Sequence, residues 1–309
     1  MLTQLKAFAD SGLPLRQEAG ESDRQYPYAQ QIARQAVRSL YAELVLYPKP
    51  GLVSLRDNGS HHDMDAACFM RSLFSLRHYF RRITIAGAQG ADFQTLKLLG
   101  IVAEQRMLQA TGGINTHRGA IFALGMLSAA AGYCLGRGQA VTATVLRQAI
   151  VSQWGQALSM HSVPPVSETC SHGQQAAQHY AASGAREEAA LGFPSIFELA
   201  LPRLQQSLHQ GRSLYQAQVD SFFTLMAHIS DTNLYHRGGA EGIAYARDIA
   251  QQFLDQGGTD HPQWLGMAER CHQQFIARRL SPGGAADLLA ASCFVHHCAE
   301  AFSIRIAHE

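Results

Sequence analysis

The residues of this chain that could do chemistry fall in four short stretches. In the first, Lys49 stands between Pro48 and Pro50 just before Gly51, and Asp57, Asn58, Ser60, His61, His62, Asp63 and Asp65 follow ahead of a helical pattern. The two prolines hold an extended turn able to aim the Lys49 ammonium at an anion. Asp63 and Asp65 offer carboxylate oxygens to a hard cation, although a helix N-cap accounts for either of them equally well. The second stretch, Thr111 to Gly119, sets Asn115, His117 and Arg118 in a glycine-containing turn before a long apolar segment. Backbone N–H groups and the positive end of a helix could face a phosphate there. The same glycines also serve ordinary turns and close packing.

The third stretch, Ser230 to Gly239, brings an acid, an amide, an imidazole and a guanidinium into one turn as Asp231, Asn233, His236 and Arg237. Asp231 could bind a metal or act as a base. In the fourth, Ser281 reads as an N-cap and Pro282 as the first helical residue. Capping leaves Gly283, Gly284 and Asp287 without an explanation. Asn115 to Ala120 echoes Asn233 to Ala240, each read as a turn ahead of a helix, so two similar turns could serve two similar ligand groups. Cys271-His272 and the Cys293, His296, His297, Cys298 group lack the paired spacing of a structural zinc site and read as core or surface residues. Neither a G-x-S-x-G elbow nor a Walker-type glycine-lysine loop is present.

These stretches must be positioned by helices. The 309 residues are 16% charged, and Ala, Leu and Gln are plentiful while Val, Ile and Thr runs that would favour strands are scarce. Apolar residues recur with helical spacing at Phe69, Leu73, Leu76, Phe80 and Ile83, at Tyr215, Val219, Phe222, Phe223, Met226 and Ile229, and at Trp264, Met267, Cys271 and Phe275. Gly and Pro clusters at Pro48 to Gly51, Gly112-Gly113, Gly136 to Gly138, Pro164-Pro165, Gly192 to Pro194, Gly238-Gly239, Gly257-Gly258 and Pro282 to Gly284 divide the chain into about ten helices. The expectation is an all-α protein: a single compact multi-helix domain over 1–309, with 1–24 a loosely attached N-terminal extension and a loop near Val163 to Gly173. No repeat period appears.

A formal net charge of +1 withholds the broad attraction that nucleic-acid and anionic-membrane binders need, which points to a small-molecule partner. Six scattered cysteines without a C-x-x-C pair, and a start lacking the pattern of a signal peptide, suggest a reducing cytoplasm. The stretch between Arg118 and Arg137 carries no charge over nearly the length of a thin membrane span. Its Ala, Gly and Ser content favours a buried central helix over a membrane segment.

Taken in order, Pro48-Lys49-Pro50-Gly51-Leu52-Val53, Asn58 to Asp65, Asn115 to Ala120, Ser230 to Asn233 and Ser281 to Gly284 resemble the motifs of the triphosphoribosyl-dephospho-coenzyme A synthase family. The resemblance runs from about Tyr47 to Leu289. Ser54, where the citrate lyase branch usually has Asp, and the block Thr111 to Arg118 look like the malonate decarboxylase branch. The resemblance implies that ATP loses adenine while its ribose C1 is attacked by the ribose 2′-hydroxyl of 3′-dephospho-CoA. It further implies inversion from the β to the α linkage in a single displacement, and a product that a separate transferase loads onto an acyl carrier protein.

Such chemistry wants a carboxylate near an oxocarbenium-like centre, a base for the hydroxyl and a hydrogen-bond donor for adenine. The resemblance therefore assigns phosphates to Lys49, His117, Arg118, His236 and Arg237. It assigns the base and a magnesium ligand to Asp63, Asp65 and Asp231, and substrate contacts to Asn58, His61, Asn115, Asn233, Ser281, Gly283 and Gly284. Mg²⁺ is expected as counterion of a triphosphate with about four negative charges. Self-association stays open. Two other readings compete: a metal-dependent phosphohydrolase built on the His62-Asp63 doublet, and a non-catalytic helical interaction module in which the polar turns are only caps.

Overall fold

The apolar stripes close into eleven helices with no strand among the residues that the computed structural model describes, 25–160 and 184–303. The expected loop near Val163 to Gly173 and the N-terminal extension lie outside the described residues. The helices are α1 (Tyr28–Val45), α2 (Ala66–Ser75), α3 (Arg77–Ala88), α4 (Phe93–Thr111), α5 (Arg118–Leu135), α6 (Ala143–Met160), α7 (Leu201–His209), α8 (Leu214–His228), α9 (Thr232–Asp255), α10 (Trp264–Ala277) and α11 (Gly283–Ser303). A π-helical turn at Ser195–Ala200 leads into α7 and a 3₁₀ turn at Gly258–Asp260 follows α9.

Two cores form within this single domain. In the first, α1, α3 and α5 pack around Leu40, Phe80, Ile83, Leu124 and Leu127, with α4 and α6 outside them. The second joins α8, α9 and α10 around Phe222, Phe223, Phe253 and Phe275. The rings of Phe223 and Phe253 stack at 4.0 Å between centroids. Helix α11 belongs to both cores: Ala290, Ala291, Phe294 and Cys298 face the first, and Ala285, Leu289 and Cys293 face the second.

Helix α5, free of charge after Arg118, is long and apolar enough to cross a membrane, yet most of it is buried inside the protein. Its small residues explain why. A Cβ at Gly132 would overlap the Thr84 carbonyl, and one at Gly87 would overlap the Ala129 carbonyl, so α3 and α5 touch backbone to backbone. The apolar stripe from Phe69 to Ile83 is divided between two helices. The chain turns at Leu76 because α2 packs on α4 whereas α3 packs on α1 and α5. The expected break at Gly238-Gly239 is present: Gly239, with φ 61° and ψ −155°, leaves helical geometry and divides α9 into two helical segments.

Candidate active site

The four stretches meet where α5, α9 and α11 begin. The Tyr47-Pro48 peptide is cis and Gly51 has φ 68°; a Cβ at Gly51 would overlap the Leu280 carbonyl, so this turn lies flat against the residues entering α11. Ser60 Oγ donates to the Leu280 carbonyl at 2.7 Å. From α10, the buried ring of His272 places Nδ1 2.8 Å from the Lys49 carbonyl and Nε2 3.0 Å from Asp57 Oδ1. This histidine is a strut, consistent with its reading as a core residue.

On the rim, His61 Nε2 lies 2.8 Å from Ser281 Oγ, and an Arg237 Nη2–H donates to His61 Nδ1 at 3.0 Å. A guanidinium only donates, so the ring carries its hydrogen on Nε2. Burial, and then the neighbouring Arg237 charge, push His61 down to about 4, which keeps it neutral near pH 7. Arg237 also donates to the Ser60 and Arg279 carbonyls. His61 and Arg237 thus clamp the first stretch to the third and fourth.

On the floor, Lys49 is 1% exposed and its ammonium is bound to the Glu43 carboxylate and to the Glu43 carbonyl. The two prolines do aim Lys49 at an anion, but that anion is an internal carboxylate on α1, so the ammonium is not free for a phosphate. Beside it His117, 2% exposed, is the N-cap residue of α5. Its Nδ1 lies 2.6 Å from Ser72 Oγ, which accepts from Thr116 Oγ1 at 2.6 Å. The Ser72 proton then points to Nδ1, the ring hydrogen sits on Nε2, and Nε2 is buried with no partner. Burial, then the Lys49 charge, holds His117 down at about 3. It is a neutral donor, where a cationic phosphate clamp was expected.

Asp231 caps two helices at once. Its Oδ1 accepts the Asn233 and Leu234 N–H groups of α9, at 2.8 and 3.4 Å, and its Oδ2 accepts the Ala285 N–H of α11 at 2.9 Å. The N-cap role expected of Ser281 at α11 falls to Asp231, because the Ser281 hydroxyl faces His61. Gly284 closes the arrangement: a Cβ there would come within 3.0 Å of Asp231 Oδ2, and a Cβ at Gly283 would come within 2.8 Å of Asn233 Nδ2. Burial raises the Asp231 carboxyl, while the N–H groups of Ala285, Asn233, Leu234 and Gly284 pull it back.

Two acids that were not assigned a role lie in the same place. Glu43, 5% exposed, comes from the last turn of α1. Asp287, on α11, accepts the Ala120 N–H at the start of α5 and is crowded by Glu43 and Asp231. A Cβ at Gly119 would overlap Asp287 Oδ2, so only glycine lets these helices meet. Burial and then those two like charges raise the Asp287 carboxyl well above the carboxylate range. Protein surrounds it, yet it keeps partial exposure, as at the bottom of a recess.

The remaining expected residues lie on the periphery. Asp65 caps α2, accepting the Cys68 N–H at 2.7 Å; Asp63 is 64% exposed and 3.9 Å from His61 Nδ1. Asn58, Asn233 and His236 are exposed. Asn115 accepts the Arg118 N–H at 3.2 Å, and Arg118 turns outward to Glu104 at 2.6 Å. The two echoing segments are not equivalent turns: Asn115 to Ala120 runs from a turn into the first residues of α5, whereas Asn233 to Ala240 takes in the first helical segment of α9, which ends at the Gly239 break. Asp63, Asp65 and Asp231 do not assemble as a magnesium site. The first two are exposed, the third is buried with both oxygens taken by N–H groups, and no group of three His, Cys, Asp or Glu among the described residues could hold a metal ion.

Residues 29–306 match the family model described as ATP:dephospho-CoA triphosphoribosyl transferase. A 2-(5''-triphosphoribosyl)-3'-dephosphocoenzyme-A synthase of Pectobacterium atrosepticum is 41% identical over 276 residues, covering 86% of this chain and 88% of the relative. A probable synthase of the same name from Acinetobacter calcoaceticus is 37% identical over 268 residues, covering 87% and 91%. No solved structure matches. With a match that takes in every helix of the recess, the chain belongs to the ATP:dephospho-CoA triphosphoribosyl transferase family.

Proposed function

We propose that this protein transfers the triphosphoribosyl group of ATP to the 2′-hydroxyl of 3′-dephospho-CoA and releases adenine. The observation that carries this reading is the convergence of the α5, α9 and α11 N-termini around the Asp231 and Asp287 carboxyl groups. Helix N-termini suit a chain of phosphates, and buried carboxyl groups suit a ribose centre that becomes cationic as adenine departs. Arg237, His236, Asn233, Asn58 and Asn115, all exposed, are assigned in this reading to the phosphates, which can stay partly hydrated there. Arg118 joins them by exchanging its exposed Glu104 partner, an ion pair worth about 1 kcal/mol or less.

Mg²⁺ enters this reading as part of the substrate, carried on the triphosphate and keeping waters of its own. In this reading the exposed Asp63 and Asp65 would approach the metal through its waters; Asp231 serves by aligning two helix ends. The change from β to α linkage fits one displacement, so no protein nucleophile is invoked. Ser54 and the Thr111 to Arg118 block favour the malonate decarboxylase branch, with the product passed to a separate transferase that loads the carrier protein. Free cysteines at Cys68, Cys134, Cys271, Cys293 and Cys298 suit a reducing cytoplasm.

The test is to incubate the purified protein with ATP, Mg²⁺ and dephospho-CoA and to follow adenine and product mass by chromatography. The expected outcome is adenine that appears only with the acceptor, together with an adduct keeping all three phosphates. Phosphate release without adenine would overturn the reading in favour of a phosphohydrolase. Among the described residues, the exposed His62-Asp63 pair belongs to no group of three His, Cys, Asp or Glu that could hold a metal ion, so nothing there favours that alternative.

A further inference from the structure

Asp287 differs from the other buried acids of the recess in what surrounds it. Glu43 is neutralised by the Lys49 ammonium, and Asp231 is satisfied by the N–H groups of two helices. Asp287 receives one backbone N–H, from Ala120, and otherwise faces the charges of Glu43 and Asp231. Glycine at 119 is what allows its carboxylate to lie against the first turn of α5. A second observation points to a ligand at the start of the same helix, α5. His117, two residues before Gly119, has Lys49 as its charged neighbour and leaves Nε2 buried and unpartnered. An unmet buried donor destabilises the fold unless a ligand supplies an acceptor.

We propose that Asp287 is the catalytic base of the transfer, taking the proton of the attacking 2′-hydroxyl, while the His117 Nε2–H binds an acceptor atom of the substrate beside it. This rests on the function proposed above. As the hydroxyl oxygen bonds to the ribose C1 of ATP, its proton passes to Asp287. The C1–N9 bond breaks and its electron pair leaves with adenine, which takes a proton from water; Asp287 returns its proton to solvent when the product departs. Glu43 and Asp231 make the carboxylate a stronger base, and the Lys49–Glu43 pair limits the net charge of the recess. The other ionisable group packed nearby, His117, is neutral and adds no charge.

The test compares wild type, Asp287→Asn and Asp287→Glu in the adenine-release assay with dephospho-CoA, alongside thermal unfolding with and without ATP and Mg²⁺. For Asp287→Asn the expected result is a rate lowered at least about 100-fold, with an unfolding midpoint at or above that of wild type and an ATP-induced rise in the midpoint that is retained. Asp287→Glu, which keeps the carboxyl but displaces it, is expected to recover part of the rate. An active wild type whose Asn variant keeps more than a tenth of the rate would overturn the assignment and leave the function standing. Failure of the Asn variant to fold would also overturn it, since relieving like-charge crowding predicts the opposite. A wild type that releases no adenine would instead overturn the function.

Discussion

Two regions of this protein bury an aspartate, and they do so in opposite ways. Where α7, α8 and the 3₁₀ turn meet, fully buried Asp220 accepts from Ser207 Oγ at 2.7 Å, from Arg212 Nη1 at 2.7 Å, and from the Thr259 N–H and hydroxyl at 2.9 Å each. Arg203 approaches it at 3.5 Å. Asp287 has one N–H and two acids for neighbours. Folding explains the first arrangement completely, because each oxygen lost from water has been given a partner. Folding alone would remove the second. A buried acid kept among like charges is the signature of a group held ready for a proton.

The largest effect that would sharpen this contrast is Asp220→Ala. It leaves the Ser207 hydroxyl and the Thr259 N–H without their acceptor and the Arg212 guanidinium with only the more distant Asp260 carboxylate, and a loss of about 3 to 5 kcal/mol in urea-denaturation stability is expected; a change below about 1 kcal/mol would erase the distinction. Lys49→Met comes next. It leaves Glu43 buried without its cation, so about 3 kcal/mol should be lost, and Lys49→Met combined with Glu43→Gln should recover most of that in a double-mutant cycle. Gly119→Ala tests the recess from its other side. The added methyl must displace Asp287, so adenine release should fall about 10-fold or more while Asp220-dependent stability stays intact.

A further effect is in acid. His61 and His297 titrate at about 4 in the folded protein and His117 at about 3, against 6.5 as ordinary imidazoles. Below pH 6.5 the unfolded chain takes up protons that the folded protein refuses, so these groups contribute stability above pH 6.5 that is lost towards pH 4. Each proton steepens the decline by up to about 1.4 kcal/mol per pH unit. Asp231 and Asp287, raised in the fold, act with the opposite sign: their contribution is present at low pH and is lost as pH rises through their folded values. His297→Gln, away from the recess, should therefore flatten the drop in unfolding midpoint between pH 6.5 and 4 without changing turnover.

Much of the site was legible because it is local. Turn residues cluster along the chain, and Asn115, His117, Asp231 and Ser281 all stand beside helix starts that capping rules can find. The stripes of α8 and α10 likewise carry their period openly. What was not legible was direction. Lys49 and His117 are polar residues in turns, which sequence reads as outward-facing, and only the packing of α1 and α2 beneath them turns both inward. Glu43 and Asp287 went unassigned although each leaves a trace. Glu43 continues the buried run Ile32, Ala36, Leu40 of α1, an acid on an apolar stripe. Asp287 is the only charged residue between Leu280 and Ala299. A lone charge on a face that should be oily is a sharper sign of chemistry here than the exposed Asp63 and Asp65, whose abundance of polar neighbours drew attention first.

Helix α11 follows every other described helix in the chain and forms a wall of both cores, and it packs directly on α1, the first of them. Its docking closes one of the longest loops the chain can make, and the entropy of that closure must be met before either core is complete. The folding clock of the whole molecule is thus set by the helix whose first turns build the recess. A chain that has not yet assembled its recess has not finished either core, so partially folded protein and recess-competent protein should be kinetically distinct populations during refolding.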